Sequence, residues 1–215
     1  MPALSSNSLI AITGISGYIA SNIGLLTLKA GHRVRGTVRS WGRAETLRVA
    51  YEKHGIPAAE LDKRLEFVIV DDLRSEEQWT KAFKDVDGVV HSALAVDDIT
   101  DPKIISDAVA GLLTVLRSAK KFPSIKRVVF TSSIDAVITP PMHTDRTLTT
   151  EDYNDEAVDI FENNLPVDHD PILKQAAPFL LYSAAKVKAE KAAWEFVKQV
   201  CFSMAVVLTD ANRAN

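Results

Sequence analysis

Short apolar runs alternate with longer segments of helical period along most of the chain. The runs that predict strands cover residues 9–12, 34–38, 67–70, 86–90, 128–130 and 204–208. The segments that predict helices cover residues 18–29, 47–51, 79–83, 104–116 and 182–200. Strands that are apolar throughout must be buried on both faces, which is typical of a parallel sheet covered by helices. Right-handed crossovers then predict a doubly wound α/β fold.

One long segment, residues 139–181, shows neither the apolar runs that predict strands nor the helical period that predicts helices. It contains five prolines, at Pro140, Pro141, Pro166, Pro171 and Pro178. Irregular segments of this length in a compact domain are usually functional or mobile. We therefore predict a single domain over residues 1–215, with an irregular segment at 139–181.

Composition and charge exclude several classes of protein. Hydrophobic residues make up 47% of the chain and charged residues 25%, which is ordinary for a globular domain. The net charge of -3 favours neither nucleic acid nor an anionic membrane as a partner. The single cysteine, Cys201, excludes an internal disulfide framework and cysteine-based zinc sites, and the five histidines show no HExxH spacing. No metal site is expected.

The first 28 residues carry no charged side chain, which superficially resembles a membrane segment or a signal peptide. Serines, asparagines and glycines interrupt the stretch, however, and no basic residues precede its apolar run. We interpret it as a buried strand followed by a buried helix. A cytoplasmic location is then the default expectation.

A glycine-containing loop joins the first strand to the first helix. The sequence from Thr13 to Ala20 reads Thr-Gly-Ile-Ser-Gly-Tyr-Ile-Ala. Glycine lets the backbone turn tightly and approach a pyrophosphate, while a helix N-terminus offers unpaired amides and a partial positive charge. The residues predicted to contact a dinucleotide here are Thr13, Gly14, Ser16, Gly17, Tyr18 and Ile19. A purely structural turn is the alternative.

The end of the second strand predicts which nicotinamide cofactor is bound. An acidic residue at this position would bind the ribose 2'-hydroxyl of NAD, whereas arginine would accept the 2'-phosphate of NADP. The strand ends at Arg39, Arg43 follows, and no Asp or Glu occurs before Glu45. We therefore expect NADPH/NADP+, with Arg39 as the first phosphate ligand and Arg43 as the second. The alternative is that these arginines form a solvated face.

Two further strand ends complete the predicted cofactor site. Asp72 and Leu73 follow the third strand, where a carboxylate could accept a hydrogen bond from the adenine amino group or could cap the next helix. Ser92 and Ala93 follow the fourth strand, and their small size lets the backbone approach the cofactor. His91, which precedes them, is more often a packed histidine than a catalytic one.

Candidate catalytic residues lie near the fifth strand and in the helix that follows residue 181. Tyr182 and Lys186 are four residues apart and so share one helix face. Ser132 and Ser133 follow the fifth strand, at the sheet edge where ligands bind. Carbonyl reduction needs a proton donor, and a nearby ammonium lowers the pKa of tyrosine from its usual value near ~10. Lys186 can also bond the cofactor ribose, and a serine hydroxyl can hold the substrate oxygen.

Taken together, these motifs resemble the extended short-chain dehydrogenases/reductases, within the NAD-dependent epimerase/dehydratase family. The group that the chain resembles holds dihydroflavonol reductase and fungal aldehyde, ketone and methylglyoxal reductases. It rests on the segments 13–20, 34–39, 72–73, 130–133 and 182–186. The resemblance implies a Rossmann fold, catalysis by Ser133, Tyr182 and Lys186, and cofactor contacts from Tyr182 and Lys186. Ser133 is favoured over Ser132 because it matches the last serine of the family's Thr-Ser-Ser stretch.

The chain also departs from the family pattern. Thr114 stands where many members have an asparagine that supports a proton relay. Thr209, followed by Asp210, Ala211 and Asn212, stands near the position of a proline beside the nicotinamide. Extended members continue for about one more small domain, which supplies most of the substrate-binding lobe. We therefore expect a C-terminally truncated member in which this lobe is largely absent.

The leading functional hypothesis is an NADPH-dependent reductase of aldehydes or ketones. One alternative is a catalytically impaired NADP(H)-binding sensor or partner-binding module, since an incomplete pocket would orient a substrate poorly. Another is a sugar-nucleotide epimerase or dehydratase, which Arg39 disfavours because those enzymes usually retain NAD. The expected partner is a small carbonyl compound. Members of the family often form homodimers through the helices that here surround Leu112 and Trp194, but Trp194 could equally belong to the ordinary core.

Overall fold

The computed structural model contains six β-strands in one sheet, and it describes residues 4–94, 99–138, 147–163, 165, 171–200 and 202–209. The strands are β1 (Leu9–Thr13), β2 (Arg33–Val38), β3 (Leu65–Ile69), β4 (Gly88–His91), β5 (Arg127–Thr131) and β6 (Ser203–Val207). They lie in the order β3-β2-β1-β4-β5-β6. The pairs β1–β2, β2–β3, β1–β4 and β4–β5 are parallel. This order confirms the predicted doubly wound Rossmann fold, in which the strand order reverses between β1 and β4.

Seven helices and one short 3-10 helix accompany the strands in the described part of the chain. The helices are α1 (Tyr18–Lys29), α2 (Trp41–Lys53), α3 (Ala58–Arg64), α4 (Glu76–Ala82), α5 (Lys103–Lys120), α6 (Asp155–Glu162) and α7 (Pro171–Val197). The 3-10 helix covers Ile134–Ala136. None of the helices in the described ranges is long and apolar enough to span a membrane.

The chain divides into two compact units. The first unit comprises residues 1–94, 114–130 and 199–206, and the second comprises residues 95–113, 131–198 and 207–215. The core of the first unit forms where α1 and α2 cover β1 and β2, with Ile12, Leu28, Val34 and Val38 almost fully buried. Each such side chain contributes roughly 1.5–3 kcal/mol by leaving water. This core fixes the strand ends that carry the predicted phosphate loop.

The second unit is built on the packing of α6 against α7. Its core includes Val158 and Ile160 from α6 and Leu180, Ala184 and Val187 from α7. These α7 residues recur at helical spacing, so that one face of the helix is buried. The turns that bury this face also carry Tyr182 and Lys186.

The main difference from the sequence-based prediction is that part of residues 139–181, predicted to be irregular, is helical. Helix α6 lies wholly within residues 139–181, and α7 begins at Pro171 rather than at Tyr182, with Pro178 inside it. Proline removes one helical hydrogen bond and usually ends a helix. Here the packing of the α7 face that includes Leu180 against α6 outweighs that cost. Residues 139–146, 164 and 166–170 of this segment, like Cys201 and Asp210–Asn212, lie outside the described residues.

Candidate functional site

The loop between β1 and α1 has the features of an anion-binding helix N-terminus. Gly17, the N-cap of α1, is extended and has no side-chain capping hydrogen bond, and the first turn contains no acidic residue. The first amides of a helix have no partner within the helix and carry a partial positive charge. Nothing in the first turn of α1 competes with a phosphate for these amides.

Gly14 allows the loop to pass close to the segment that follows β4. Its φ of 62° lies in the left-handed region, and a Cβ at this position would be 3.1 Å from the Cβ of Ala93 and 3.2 Å from its Cα. The amide of Gly14 donates to the Thr37 hydroxyl at 3.0 Å. A side chain at position 14 would therefore be strained and would also displace Ala93.

Thr13 contributes to this arrangement from beneath the loop rather than from its surface. Its side chain is fully buried, and its hydroxyl accepts hydrogen bonds from the amides of Ser92 and Ala93, each at 3.0 Å. Thr13 was predicted to contact the dinucleotide. The structure instead places its side chain where it holds the two predicted contact residues of the fourth strand end.

A pocket of about 290 Å³ opens beside this loop, and all of its lining residues belong to the first unit. Eight of the predicted cofactor residues line it: Gly14, Ser16, Gly17, Arg39, Arg43, Leu73, Ser92 and Ala93. Four others were not predicted: Thr37, Val38, Val70 and Leu94. The four unpredicted residues lie near the ends of β2, β3 and β4, and the signal that could have found them is the convergence of parallel strand ends at one edge.

The arginines of this region separate into two groups. Arg35 forms an ion pair with Glu66 at 2.7 Å, and the Nε of Arg33 donates to the carbonyl of Asn7 at 3.3 Å. Arg39 and Arg43 instead line the pocket, and no acidic side chain is among its described lining residues. The pocket therefore presents cationic side chains where a 2'-phosphate is expected.

Six predicted cofactor residues are not in the pocket lining: Thr13, Tyr18, Ile19, Asp72, Tyr182 and Lys186. Tyr182 and Lys186 belong to the second unit. Tyr18 is 69% exposed, and Ile19 follows it in the first turn of α1. Asp72 accepts a hydrogen bond from the amide of Arg74 at 2.8 Å and pairs with its guanidinium at 3.4 Å. The side chain that caps α4 is Ser75, not Asp72.

Replacing Gly14 with alanine is expected to weaken dinucleotide binding about tenfold, because the new Cβ displaces the pocket wall at Ala93. The left-handed backbone adds a stability cost of about 1–2 kcal/mol. Gly31→Ala is the matched control, since Gly31 also has a positive φ, 90°, but its Cβ would meet nothing within 4 Å. Titration with NADPH and thermal unfolding should show both variants destabilised and only Gly14→Ala impaired in binding. Equal affinities would contradict this role of Gly14.

The predicted catalytic residues all lie in the second unit. Ser133 is buried at the N-terminus of the 3-10 helix, and its hydroxyl donates to the Asp135 carboxylate at 3.0 Å. Ser133 also lies close enough to the phenol of Tyr182 to lower its pKa. Ser132 is buried as well, but its hydroxyl has no hydrogen-bond partner in the described part of the chain. These contacts favour Ser133 as the partner of Tyr182.

Lys186 is buried one turn after Tyr182. Its ammonium donates to the carbonyl of Thr131 at 3.1 Å and lies 5.7 Å from the centre of the Tyr182 ring. Burial lowers the pKa of Lys186 to about 8, while the negative charges of Glu190 and Asp135 oppose that fall. The lysine therefore titrates close to neutrality.

The expected pKa of Tyr182 differs from what the structure gives. Burial raises the pKa of the phenol, the hydrogen bond with Ser133 opposes that rise, and the charge of Asp135 adds to it. The expectation of a pKa lowered towards neutrality by Lys186 was wrong. It took no account of the burial of the phenol or of the carboxylate of Asp135 beside it.

Two threonines at positions where the sequence departs from the family pattern have structural partners. The Thr114 hydroxyl accepts a hydrogen bond from Arg117 at 2.9 Å. The Thr209 hydroxyl donates to the carbonyl of Ser132, and its own carbonyl accepts from the amide of Ile134, both at 3.0 Å. Thr209 thus holds the segment that carries Ser133, a role that the sequence did not indicate.

The described residues contain no group of three or more His, Cys, Asp or Glu side chains that could hold a metal ion.

Comparison with known proteins agrees with these features. Residues 10–210 match the model of the NAD dependent epimerase/dehydratase family. The chain is 35% identical over 192 residues to the NAD-dependent epimerase/dehydratase terH of Aspergillus terreus, covering 89% of this chain and 53% of that protein. It is 31% identical over 198 residues to aldehyde reductase 2 of Sporidiobolus salmonicolor, covering 91% of this chain and 54% of that protein.

A solved structure shows the same fold. Yeast methylglyoxal/isovaleraldehyde reductase Gre2, complexed with NADPH, matches with a TM-score of 0.69 and 29% identity, covering 93% of this chain and 57% of that chain. The chain spans about half the length of the curated relatives that it matches. With a family match that covers nearly all of its residues, this chain belongs to the NAD-dependent epimerase/dehydratase family.

Proposed function

We propose that this chain is the cofactor-binding and catalytic part of an NADPH-dependent reductase of aldehydes or ketones. The observation that carries the proposal is the cluster in the second unit, where Ser133 lies beside the Tyr182 phenol and the Lys186 ammonium lies 5.7 Å from the Tyr182 ring centre. A hydroxyl can hold a carbonyl oxygen, a phenol can donate a proton to it, and an ammonium can stabilise the phenolate that results. The similarity of this chain to aldehyde reductase 2 and to methylglyoxal/isovaleraldehyde reductase Gre2 supports the same reaction class.

The pocket of the first unit fits NADPH. The uncapped N-terminus of α1 suits a pyrophosphate, Gly14 permits close approach of the backbone, and Arg39 and Arg43 suit a 2'-phosphate. When bound, NADPH supplies the hydride for the carbonyl carbon. The relative solved with this cofactor supports the choice.

The residues of the second unit would manage the carbonyl oxygen and its proton. The Ser133 hydroxyl, which now donates to Asp135, can rotate to donate to the carbonyl oxygen and stabilise its growing negative charge. Tyr182 would donate its proton to that oxygen, since its raised pKa keeps the phenol protonated at neutral pH. The Lys186 ammonium would stabilise the resulting phenolate.

The decisive experiment is titration of the chain with NADPH and NADH, followed by measurement of NADPH oxidation with a panel of aldehydes and ketones. Tight NADPH binding with turnover would support the reductase. Binding without turnover of any carbonyl would favour the sensor or partner-binding module instead. Failure to bind either dinucleotide would overturn the cofactor assignment.

Replacing Arg39 with alanine is expected to weaken NADPH binding by about tenfold to a hundredfold and to leave NADH binding nearly unchanged. The loss reflects a hydrogen bond to a charged phosphate, worth about 1.5–3 kcal/mol. Arg33→Ala is the matched control, because Arg33 begins β2, the strand that Arg39 follows, but lies outside the pocket lining. If both cofactors weakened equally, Arg39 would not be reading the 2'-phosphate.

A further inference from the structure

His91 is a buried imidazole at the end of β4 that the proposed reaction does not use. It is 2% exposed. The centre of its ring lies 5.9 Å from the ring centre of Phe130, in a stacked arrangement. It lies 6.5 Å from the ring centre of Trp79, in an edge-to-face arrangement. A phenyl ring could fill such an aromatic pocket and would bury no nitrogen atom that needs a hydrogen-bond partner. The presence of a histidine therefore calls for an explanation from its hydrogen bonds.

The hydrogen bonds at Thr13 determine which nitrogen of His91 carries its proton. The Thr13 hydroxyl oxygen accepts from the amides of Ser92 and Ala93, which uses both of its lone pairs. Its single hydrogen is then donated to the Nδ1 of His91, 2.9 Å away. Nδ1 is thus an acceptor, and His91 is neutral with its proton on Nε2.

The two amides held by Thr13 belong to the wall of the dinucleotide pocket. Ser92 and Ala93 both line it, and Ala93 is the residue that Gly14 approaches closely. A hydroxyl can rotate, but donation to His91 fixes the rotor of Thr13 so that its lone pairs face these amides. A hydrogen-bonded chain therefore runs from His91 through Thr13 to the pocket wall.

We infer that His91 is a positioning residue for dinucleotide binding, acting through Thr13 on the Ser92–Ala93 wall of the pocket. The identity of the ligand, NADPH, rests on the proposed function. The hydrogen bonds from His91 through Thr13 to Ser92 and Ala93 do not depend on it. The competing explanation is that His91 only fills space between Trp79 and Phe130. The two explanations differ in whether the Nδ1 acceptor or the ring matters.

The test compares two substitutions of His91. His91→Phe keeps an aromatic ring and removes the acceptor, and it should weaken NADPH binding about fivefold to tenfold. His91→Asn loses the ring but keeps an acceptor, because its Oδ1 is bonded to Cγ just as Nδ1 is in histidine. This variant should therefore recover most of the NADPH affinity that His91→Phe loses. Phe130→Leu is the packing control and should lower the melting temperature without weakening binding. Weaker binding by His91→Asn than by His91→Phe would overturn the inference.

A double-mutant cycle tests the route through Thr13. Thr13→Val removes the hydroxyl with little change of shape, so it should weaken NADPH binding at least as much as His91→Phe does. Because both changes break the same chain, the double variant should bind no more weakly than Thr13→Val alone. Additive losses in the double variant would show that His91 acts independently of Thr13.

Amide hydrogen exchange supplies a measurement that needs no cofactor. The Ser92 and Ala93 amides should exchange at least several times faster in His91→Phe and in Thr13→Val than in the unchanged chain, whereas β2 should keep its protection. Unchanged exchange at both amides would overturn the positioning role. If the chain bound neither dinucleotide, the proposed function would fail while this measurement would still decide the contact chain.

Discussion

Replacing Tyr182 with phenylalanine is expected to lower carbonyl turnover by about two to four orders of magnitude, the range for loss of a general acid. NADPH affinity should change by no more than a few fold, because the phosphate loop and Arg39 remain in the first unit. Single-turnover measurements of NADPH oxidation with a saturating aldehyde would check the loss directly. They report the chemical step without product release.

Tyr51→Phe provides the matched control for this substitution. Tyr51 is also a buried tyrosine, and its hydroxyl donates to the carbonyl of Ser21 at 2.7 Å, within the first unit. The variant should lose about 1 kcal/mol of unfolding free energy and keep its turnover. If Tyr182→Phe retained turnover as Tyr51→Phe does, the proton would come from another group. The proposed mechanism would then be wrong.

The parts of the fold that the sequence predicted are those with a strong local signal. Apolar strands such as residues 34–38 must be buried on both faces, so their pattern alone indicates the parallel sheet. The glycine loop at 13–20 and the arginines after β2 are likewise local, and the structure places both glycines of the loop, Ser16 and both arginines around one pocket. Their roles in binding remain predictions until the titrations are made.

The parts that could not be predicted depend on packing between distant segments. Pro178 is a helix-breaking signal, yet α7 continues through it because its face at Leu180 and Ala184 is buried against α6. The position of Thr13 beneath the pocket wall depends on Ser92 and Ala93, which lie nearly eighty positions further along the chain. No local pattern contains such a contact.

Burial also explains why residue types alone gave the wrong pKa for Tyr182. The i,i+4 spacing correctly placed Lys186 near the phenol, with its ammonium 5.7 Å from the ring centre. Spacing says nothing of desolvation, which raises the pKa of Tyr182 and lowers that of Lys186. The two groups are therefore both protonated at neutral pH, with Lys186 the first to lose its proton as the pH rises.

Turnover in the reductive direction should accordingly fall as the pH rises above about 8, where Lys186 loses its charge. Lys186→Met should lose at least two orders of magnitude in turnover at pH 7, because no ammonium remains to stabilise the phenolate. Lys188→Met is the matched control on the same helix, since Lys188 is more exposed and pairs with Glu162. A pH profile for the unchanged chain that stays flat to pH 10 would contradict the assignment.

The same titration predicts an opposite effect on stability. The pKa of Lys186 is about 8 in the folded chain and near 10.5 when the chain is unfolded, so the unfolded state binds more protons between these values. Stability contributed through this group therefore rises as the pH rises from 8 to 10.5 and is lowest below pH 8. The difference of about 2.5 pKa units corresponds to about 3 kcal/mol.

Lys186→Met should consequently be more stable than the unchanged chain at pH 7, by up to about 3 kcal/mol, and this advantage should disappear between pH 8 and 10.5. Urea unfolding of both proteins at several pH values measures the difference, in which the titrations of all other groups cancel. A difference that does not change with pH would mean that Lys186 keeps its ordinary pKa in the folded chain. A difference that shrinks over the predicted window would show that the buried charge of Lys186 lowers the stability of the folded chain.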